Sequence, residues 1–423
     1  MSEQQKNTQL IHRGGGHKKR KTLKSKVKSF LDFIGLKHNL RTKIRTTLRK
    51  ITGRYKPFIP NVNKTSYNKR CLLSYVTAPF TAKKISDSHQ NQQQAVEMAR
   101  IIGTFGYNVD AAMFSDTDAL RKITQKYDLI IDIRAREPGF WAKNMNDGCK
   151  LVVYSTGSSH KFAREGENRR LSDLEQRRGV KLQPRRTASL ILENELQLRN
   201  ADAFWHIGNS YNVHTYDYIG KLPPTSLIKN TGYNFGWVRT DIVRDKHNFL
   251  FFASAGQVHK GLDLLLEIFG REGFGLNLYI CSSFMNEEDF CEEYSHELFE
   301  RPNIFPVGFV DINGQEFREI TEKCAFVIMP SCSEGCAGSI LTAMSAGLIP
   351  IVSRVCGIDG EGQIILPDCS LETIERYINE YSSKPDEWIR ERSMQCLNDA
   401  RTIYSFGSFT QSVHDAMASL TAN

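Results

Sequence analysis

Two polar residues, each between an apolar run and a helix-like stretch, have types and positions suited to chemistry. Lys260 lies in "SAGQVHKG", which follows the apolar run "NFLFFA" and precedes a helix predicted to start at Gly261. Glu334 lies in the turn "SEGCAGS", which follows "AFVIMP" and opens a helix rich in small residues. The unpaired amides at a helix start favour an anion, so a lysine beside them predicts a phosphate site. A carboxylate accepts hydrogen bonds from hydroxyl groups, which predicts a sugar on its side of the site.

Each residue also has a simpler interpretation. A single lysine is usually a solvated surface charge, and a carboxylate in a turn is usually a helix cap. Gly256 and Gly261 on either side of the lysine favour the phosphate site, and Gly335 and Gly338 allow the main chain to approach a bound group. A phosphate and a sugar in one site together predict a nucleotide sugar as the ligand.

The two segments together resemble the donor-binding domain of family-4 glycosyltransferases with the GT-B fold. That family has Lys-Gly after its first strand, and later Pro-Ser-x-x-Glu-Gly, a small-residue turn and a helix ending in Ala-x-Gly-x-Pro. The stretches "HKGLDLLLEIF" and "PSCSEGCAGSILTAMSAGLIPIVS" carry this pattern, and the resemblance covers residues 247–423. It implies that Lys260 contacts the donor diphosphate, that Glu334 contacts the donor sugar, and that the turn amides hold phosphate oxygens.

The resemblance also implies that the stretch "VGFV" flanks the nucleotide base. The predicted donor-binding residues are Gly256, Gln257, Lys260, Phe309, Val310, Glu334, Gly335, Cys336, Ala337, Gly338, Ser339 and Thr342. Two of them depart from the family pattern. Thr342 stands where a second glutamate usually holds the ribose, and Gln257 lies in a shortened loop where many members have an arginine. These departures leave a non-catalytic glycan- or nucleotide-binding subunit open as an alternative.

The first half of the chain resembles bacterial glycosyltransferases that make cell-surface polysaccharide, including lipopolysaccharide. The resemblance rests on "SHQNQQQAVEMARIIGTFGYNVD" and on a Thr-Gly-Ser-Ser-His turn followed by an arginine-rich loop. It implies that His160 helps to orient the acceptor or to stabilise the reaction centre, with a structural role as the alternative. The arginines could bind a phosphate-bearing acceptor such as a polyprenyl diphosphate-linked sugar, or form a solvated loop. The predicted acceptor-binding residues are His89, Asn91, His160, Arg177, Arg178, Arg185 and Arg186.

Short apolar runs alternate with amphipathic stretches from Cys71 onward, which predicts an α/β protein with parallel sheets. We expect two Rossmann-like, doubly wound domains that face a cleft, the GT-B arrangement. The predicted segments are a basic extension over 1–68, an acceptor domain over 69–245, a donor domain over 246–400, and a C-terminal helix over 401–423 that could cross back. "ASLILENELQLRNA", residues 188–201, is predicted to be a helix.

These features predict sugar transfer from a nucleotide-diphosphate donor to a glycan or a lipid-linked acceptor. The resemblance implies retention of anomeric configuration, with His160, Lys260 and Glu334 as catalytic residues. No cofactor and no metal ion are expected. The "SDTD" stretch at 115–118 imitates a metal-binding motif of another glycosyltransferase fold, but its setting does not fit that fold.

The net charge of +9 conceals an asymmetry along the chain. Residues 1–70 contain 20 Lys and Arg but two acidic residues, mixed with apolar residues at helical spacing. This pattern favours contact with an anionic membrane surface over a nucleic-acid-binding arm or a solubilising tail. The ten cysteines lack a CxxC pair, and the sequence shows neither a secretory signal nor a long apolar span. We therefore expect a cytoplasmic protein, peripheral on the inner face of the membrane, with no nucleic-acid partner.

Overall fold

Two mainly parallel sheets follow one another along the chain, formed from strands of two to eleven residues. A computed structural model describes residues 56–83, 85 and 89–422 of the 423-residue chain. These described residues belong to one compact unit. Residues 1–55 of the predicted basic extension therefore lie outside the described residues.

The first sheet has seven strands in the order β1-β3-β2-β4-β5-β6-β7, with β1 antiparallel to β3 and the other pairs parallel. Its strands are β1 (Phe58–Ile59), β2 (Lys69–Tyr75), β3 (Tyr107–Met113), β4 (Tyr127–Asp132), β5 (Met145–Ser155), β6 (Ala203–Ile207) and β7 (Thr225–Ile228). The helices of this domain are α1 (Asn91–Thr104), α2 (Thr117–Arg121), α3 (His160–Arg178), α4 (Glu195–Arg199) and α5 (Ser210–His214).

The second sheet has six parallel strands in the order β10-β9-β8-β11-β12-β13. Its strands are β8 (Asp245–Phe252), β9 (Asn277–Cys281), β10 (Ile304–Pro306), β11 (Cys324–Met329), β12 (Ile349–Ser353) and β13 (Ile364–Leu366). The helices that follow β7 are α6 (Gln257–Lys260), α7 (Leu262–Phe269), α8 (Glu288–Glu293), α9 (Ser295–Glu300), α10 (Gln315–Lys323), α11 (Gly338–Ser345), α12 (Leu371–Ser382), α13 (Asp386–Thr402) and α14 (Phe406–Ala422).

Burial on both faces explains the apolar runs in the second sheet. All six residues of β11 are buried, as expected for a central parallel strand covered by helices on each side. β11 lies beside β8 in the sheet. The loops that follow these two strands therefore leave the same edge, and they carry Lys260 and Glu334.

The first domain starts earlier than the sequence predicts. β1 pairs with β3, and Asn63 Nδ2 donates to the carbonyl of Tyr107 at 2.9 Å while Asn63 Oδ1 accepts from Val109 N at 2.9 Å. Residues 58–68 are thus part of the first domain rather than of the extension.

The predicted helix over 188–201 is also mostly wrong. Only α4 is helical there, and residues 188–194 form an irregular segment before it. The main-chain carbonyls of this segment bind side chains of α3 instead of forming a helix. Arg164 donates to the carbonyl of Leu190, and His160 Nδ1 contacts the carbonyl of Ile191.

The last helix, α14, returns to the first domain. Thr410 Oγ1 donates to Glu97 Oε1 on α1 at 2.7 Å, and Lys150 Nζ on β5 donates to the carbonyl of Leu420 at 2.7 Å. No helix within the described ranges is long and apolar enough to cross a membrane.

Candidate functional site

A short helix and a left-handed glycine hold Lys260 at the carboxyl end of β8. Lys260 ends α6, and Gly261 has a φ of 81° before α7 begins. A Cβ at Gly261 would lie 2.7 Å from the carbonyl oxygen of Pro330, which follows β11. Glycine therefore lets the lysine loop pack directly against the turn that carries Glu334.

Lys260 and Glu334 form a largely buried ion pair between Nζ and Oε1. Ser331 Oγ also donates to Oε1, at 2.8 Å, which leaves Oε2 of Glu334 available for a ligand. Burial alone would raise the pKa of Glu334, but the Lys260 charge, with smaller effects of His259 and Arg186, holds that pKa below its ordinary value. Glu334 is therefore an anion at neutral pH and can accept hydrogen bonds from sugar hydroxyls.

His259, next to Lys260 in the sequence, also binds the turn that carries Glu334. Its Nε2 lies 2.8 Å from the carbonyl of Ser333, and its own carbonyl accepts from Cys332 N at 2.9 Å. Burial lowers the pKa of His259, so the ring is neutral and donates from Nε2 to that carbonyl. The lysine loop and the glutamate turn therefore behave as one rigid structure.

The first domain also contacts the Glu334 turn. The carbonyl of Glu334 accepts from Ser158 N at 3.0 Å and from Asn212 Nδ2 at 3.2 Å. A Cβ at Gly335 would lie 2.6 Å from Cα of Gly157. The two domains are thus in direct contact at this turn.

Two adjoining cavities lie beside that contact. The lysine-side cavity, of about 880 Å³, is lined by Lys260 and the start of α11. The histidine-side cavity, of about 780 Å³, is lined by His160, Arg186, Thr187 and residues 189–194. Thr156, Arg186 and Glu334 line both. This arrangement suits a reaction in which one ligand occupies each cavity and they meet beside Glu334.

Most of the predicted donor residues lie around the lysine-side cavity. The predicted residues in its lining are Lys260, Phe309, Val310, Glu334, Gly335, Cys336, Gly338, Ser339 and Thr342, together with His89, Asn91 and Arg186 from the acceptor set. Phe309 is 82% exposed there, while Val310 is buried beneath it. An exposed aromatic ring at a cavity mouth is suited to stacking on a flat heterocycle.

The start of α11 presents positive main-chain groups to the same cavity. Gly338 and Ser339 begin the helix and line the cavity, and the N-cap residue Ala337 provides no side-chain cap. The amide of Ala337 itself donates to the carbonyl of Cys356 at 2.9 Å. Ala337 is therefore held inside the protein, and its amide is not available to a phosphate.

Gly256 and Gln257 do not line the lysine-side cavity, contrary to the sequence prediction. Their amides donate to the buried carboxylate of Glu287 at 2.5 and 3.1 Å. The Gln257 side chain donates to the carbonyl of Ser254 and accepts from Ser282 Oγ, both at 3.0 Å. These residues shape the lysine loop and have no group left for a phosphate.

Three of the four predicted arginines form ion pairs with the second domain instead of facing the cleft. Arg177 pairs with Asp263 and Glu267, at 2.9 Å to each. The other two pairs are Arg178 with Glu293 and Glu297, at 2.6 and 2.8 Å, and Arg185 with Asp289, at 2.5 Å. Arg186 is the member of this group that lines both cavities.

His160 begins α3 and lines the histidine-side cavity. Ser159 caps this helix by accepting from Phe162 N, and Glu193 accepts from His160 N at 2.7 Å. His160 Nδ1 contacts the carbonyl of Ile191, which can only accept, so Nδ1 carries the proton and Nε2 is left as an acceptor.

Sequence reasoning missed three residues at the two cavities. Gln90 Nε2 donates to the carbonyl of Gly338 at 3.0 Å and lies 3.4 Å from Thr342 Oγ1. Asn230 Nδ2 donates to the carbonyl of Cys336 at 2.8 Å, which links β7 to the turn. Arg134 lines the histidine-side cavity, stacked over the Phe114 ring at 5.0 Å. Single amides and arginines carry no motif, so no sequence signal indicated them.

Asp116 in the "SDTD" stretch has a structural role, since its side chain caps α2 by accepting from Ala119 N at 3.1 Å. Within the described part of the chain, no group of three or more His, Cys, Asp or Glu residues could hold a metal ion.

The family model described as "Glycosyl transferases group 1" matches residues 246–381. This range contains Lys260, Glu334 and the strands that position them. No curated protein sequence matches the chain.

Several solved structures share its fold at low sequence identity. Sucrose-phosphate synthase from Thermosynechococcus elongatus aligns with a TM-score of 0.56 and 13% identity, over 83% of this chain and 98% of that one. HepE from Anabaena, solved in complex with UDP and glucose, aligns with a TM-score of 0.54 and 11% identity, over 83% of this chain and all of that one. TarM from S. aureus aligns with a TM-score of 0.51 and 12% identity, over 73% of this chain. The present chain covers 57% of the length of TarM.

Identities this low establish the fold and leave the substrates open. The more specific assignment to family 4 stays a prediction from the sequence motifs. The two parallel-sheet domains and the structural neighbours together show that the chain has the GT-B fold, and residues 246–381 match the model of group 1 glycosyl transferases.

Proposed function

We propose that this protein transfers a sugar, with retention of configuration and without a metal ion, from a nucleotide-diphosphate donor to a glycan or lipid-linked acceptor. The observation that carries the proposal is the Lys260–Glu334 pair. It lies beside the start of α11 and in the wall between two cavities of similar size.

The donor is assigned to the lysine-side cavity. Lys260 and the first amides of α11 offer positive charge to a diphosphate, and Phe309 offers a ring for the base. Oε2 of Glu334 accepts from hydroxyls of the donor sugar.

The acceptor is assigned to the histidine-side cavity. Ile191 and Leu192 in its lining are 64% and 45% exposed, and Arg134 adds a cation nearby. An apolar rim beside a cation suits a lipid-linked acceptor that carries phosphate. His160 Nε2 can accept from the attacking hydroxyl and orient it.

In the proposed reaction, the bond between the anomeric carbon and the diphosphate oxygen breaks as a new bond to the acceptor oxygen forms on the same face. The proton of the acceptor hydroxyl passes to the departing phosphate oxygen, so no separate base is required. Lys260 and the α11 amides stabilise the negative charge that develops on the diphosphate.

A transfer assay with UDP-, GDP- and ADP-sugars and isolated cell-surface glycans or lipid-linked acceptors tests the proposal. We expect Lys260→Ala and Glu334→Ala each to lower turnover about 100-fold or more. Lys323→Ala is the matched control, because this exposed lysine precedes β11 at the opposite edge of the sheet. Circular dichroism of each variant confirms folding. Turnover unaffected by either site variant would contradict the proposed roles.

The second candidate is a binding subunit that retains the fold without turnover. Its support is Thr342, whose hydroxyl donates within α11 to the carbonyl of Gly338 at 2.8 Å, in the place of a ribose-binding carboxylate. Donor binding with no transfer to any acceptor would favour this candidate.

Treatment with EDTA tests whether the proposed reaction needs a metal ion. Turnover that survives EDTA supports a metal-independent reaction, and loss of turnover restored by Mg²⁺ would contradict it.

A further inference from the structure

The side chain of Arg186 crosses the lysine loop at Gly256. Gly256 has a φ of 90°, and a Cβ there would lie 2.9 Å from Cβ and 3.6 Å from Cγ of Arg186. Gly256 is therefore glycine for two reasons, its left-handed backbone and the close approach of an arginine from the other domain.

Two buried carboxylates fix the two segments that meet here. Glu167 on α3 accepts from the amides of Arg186 at 2.9 Å and Thr187 at 2.8 Å. Glu287 accepts from the amides of Gly256 and Gln257 on the lysine loop. The backbone beneath Arg186 and the surface that it crosses are thus both held in place.

Arg186 lines both cavities, and its charge contributes to the lowered pKa of Glu334. Within the described chain, Arg177, Arg178 and Arg185 all have carboxylate partners, whereas the guanidinium of Arg186 forms no ion pair or hydrogen bond. The backbone of Arg186 is held in place, and its guanidinium has no partner among the described residues. Such a group in a cavity lining is suited to bind an anionic ligand.

The lysine side of the site provides one full positive charge, which is already paired with a carboxylate. Lys260 is already paired with Glu334, and Gln257 is buried with its side chain bonded to Ser254 and Ser282. The start of α11 contributes only partial charges. A diphosphate placed there would be bound more tightly with a further cation.

We propose that Arg186, reaching across from the first domain, is the second cation of the donor diphosphate site. This inference rests on the proposed function and adds that the diphosphate site is built from both domains. Planar guanidinium groups bind phosphate oxygens in pairs, so Arg186 would position the diphosphate as well as neutralise it. Donor binding therefore requires that the two domains stay together.

Calorimetric titration of the full chain with UDP, GDP, ADP and inorganic pyrophosphate tests this inference. We expect Arg186→Gln to weaken binding of the preferred nucleoside diphosphate and of pyrophosphate about 10-fold or more. Arg185→Gln is the matched control, since it removes the same charge from the adjacent residue, and we expect a change of less than about twofold.

A second pair of variants separates charge from position. Arg186→Lys should recover only part of the affinity, because an ammonium lacks the paired donors. Gly256→Ala should weaken diphosphate binding through displacement of the arginine, while leaving every charge present.

Three results have distinct meanings. Unchanged diphosphate affinity in Arg186→Gln would overturn the inference but leave the proposed function standing. Unchanged donor affinity with a raised KM for the acceptor would overturn it in favour of an acceptor role. A wild-type protein that binds none of the nucleoside diphosphates would overturn the proposed function itself, and this inference with it.

Discussion

At the scale of single residues, the site depends on a charge pair removed from water. Lys260 and Glu334 are 6% and 11% exposed, so each depends on the other for compensation of its charge. Removal of one partner leaves an isolated buried charge, which costs more than the pair itself contributes. Function and stability are therefore coupled at these two positions.

This coupling can be measured with a double-mutant cycle. We expect Lys260→Met and Glu334→Gln each to lower the free energy of unfolding by about 3 kcal/mol, and the double variant to lose much less than the sum. Urea denaturation of the four proteins gives the values. Additive losses would show that the two side chains do not compensate each other.

The buried ring of His206 predicts a dependence of stability on pH. Burial lowers its pKa from 6.5 to about 4, and both ring nitrogens lack partners in the described chain. Between these values the unfolded chain binds a proton that the folded chain does not, so stability falls as the pH falls from 6.5 towards 4. The full loss in the free energy of unfolding is about 3 kcal/mol.

Substitution of His206 tests whether this residue causes the loss of stability at low pH. His206→Leu should remove that part of the pH slope in urea denaturation measured between pH 7 and pH 4, whatever its effect at pH 7. The buried ring of His259 contributes with the same sign and should remain in the variant. An unchanged slope would contradict the assignment to His206.

At the scale of elements, the sequence predicted the lysine loop and the glutamate turn because each follows an apolar run that forms the end of a strand. Carboxyl ends of parallel strands share an edge, so loops after β8 and β11 had to lie near each other. The partners of the arginines could not be predicted in this way. Arg177 meets Asp263 and Glu267, which lie about 90 residues later on an amphipathic helix. Only the packing of the domains brings them together.

Contact at the glutamate turn predicts a sensitive glycine. A Cβ at Gly335 would lie 2.6 Å from Cα of Gly157 and 2.8 Å from the carbonyl oxygen of Thr156, both main-chain atoms. We expect Gly335→Ala to lower the free energy of unfolding by about 1–3 kcal/mol and to reduce transfer, because the turn must shift.

The neighbouring Gly338 is the matched control for this prediction. The three atoms nearest to a Cβ there all belong to the side-chain end of Gln90, which can move. Urea denaturation should therefore show a smaller loss for Gly338→Ala than for Gly335→Ala. Equal losses would show that the close approach of the main chains is unimportant.

At the scale of the whole molecule, α14 joins the end of the chain to the first domain. Phe409 on this helix is fully buried, whereas Phe406 on the same helix is 42% exposed. We expect Phe409→Ala to cost about 3–5 kcal/mol of stability. Phe406→Ala should cost less than about 1 kcal/mol, and a reversed order in urea denaturation would contradict the packing of α14.

The basic extension stays a sequence-based prediction, but it is shorter than the predicted 68 residues. Because β1 belongs to the first domain, a deletion that tests the extension should stop at residue 53. We expect this deletion to weaken binding to phosphatidylglycerol vesicles and to leave transfer to a water-soluble acceptor unchanged. Vesicles of phosphatidylcholine alone serve as the control. Equal binding to anionic vesicles by both proteins would refute the membrane role.

The hydrogen bonds from Ser158 and Asn212 to the main chain of Glu334 have a consequence for how such a protein evolves. The main chain of the residue proposed to recognise the sugar is also bonded to the opposite domain, so a small change in the angle between the domains strains the turn that carries the carboxylate. Sugar preference could then change through substitutions at distant ion pairs, such as Arg178 with Glu297, without any change in the residues that touch the sugar.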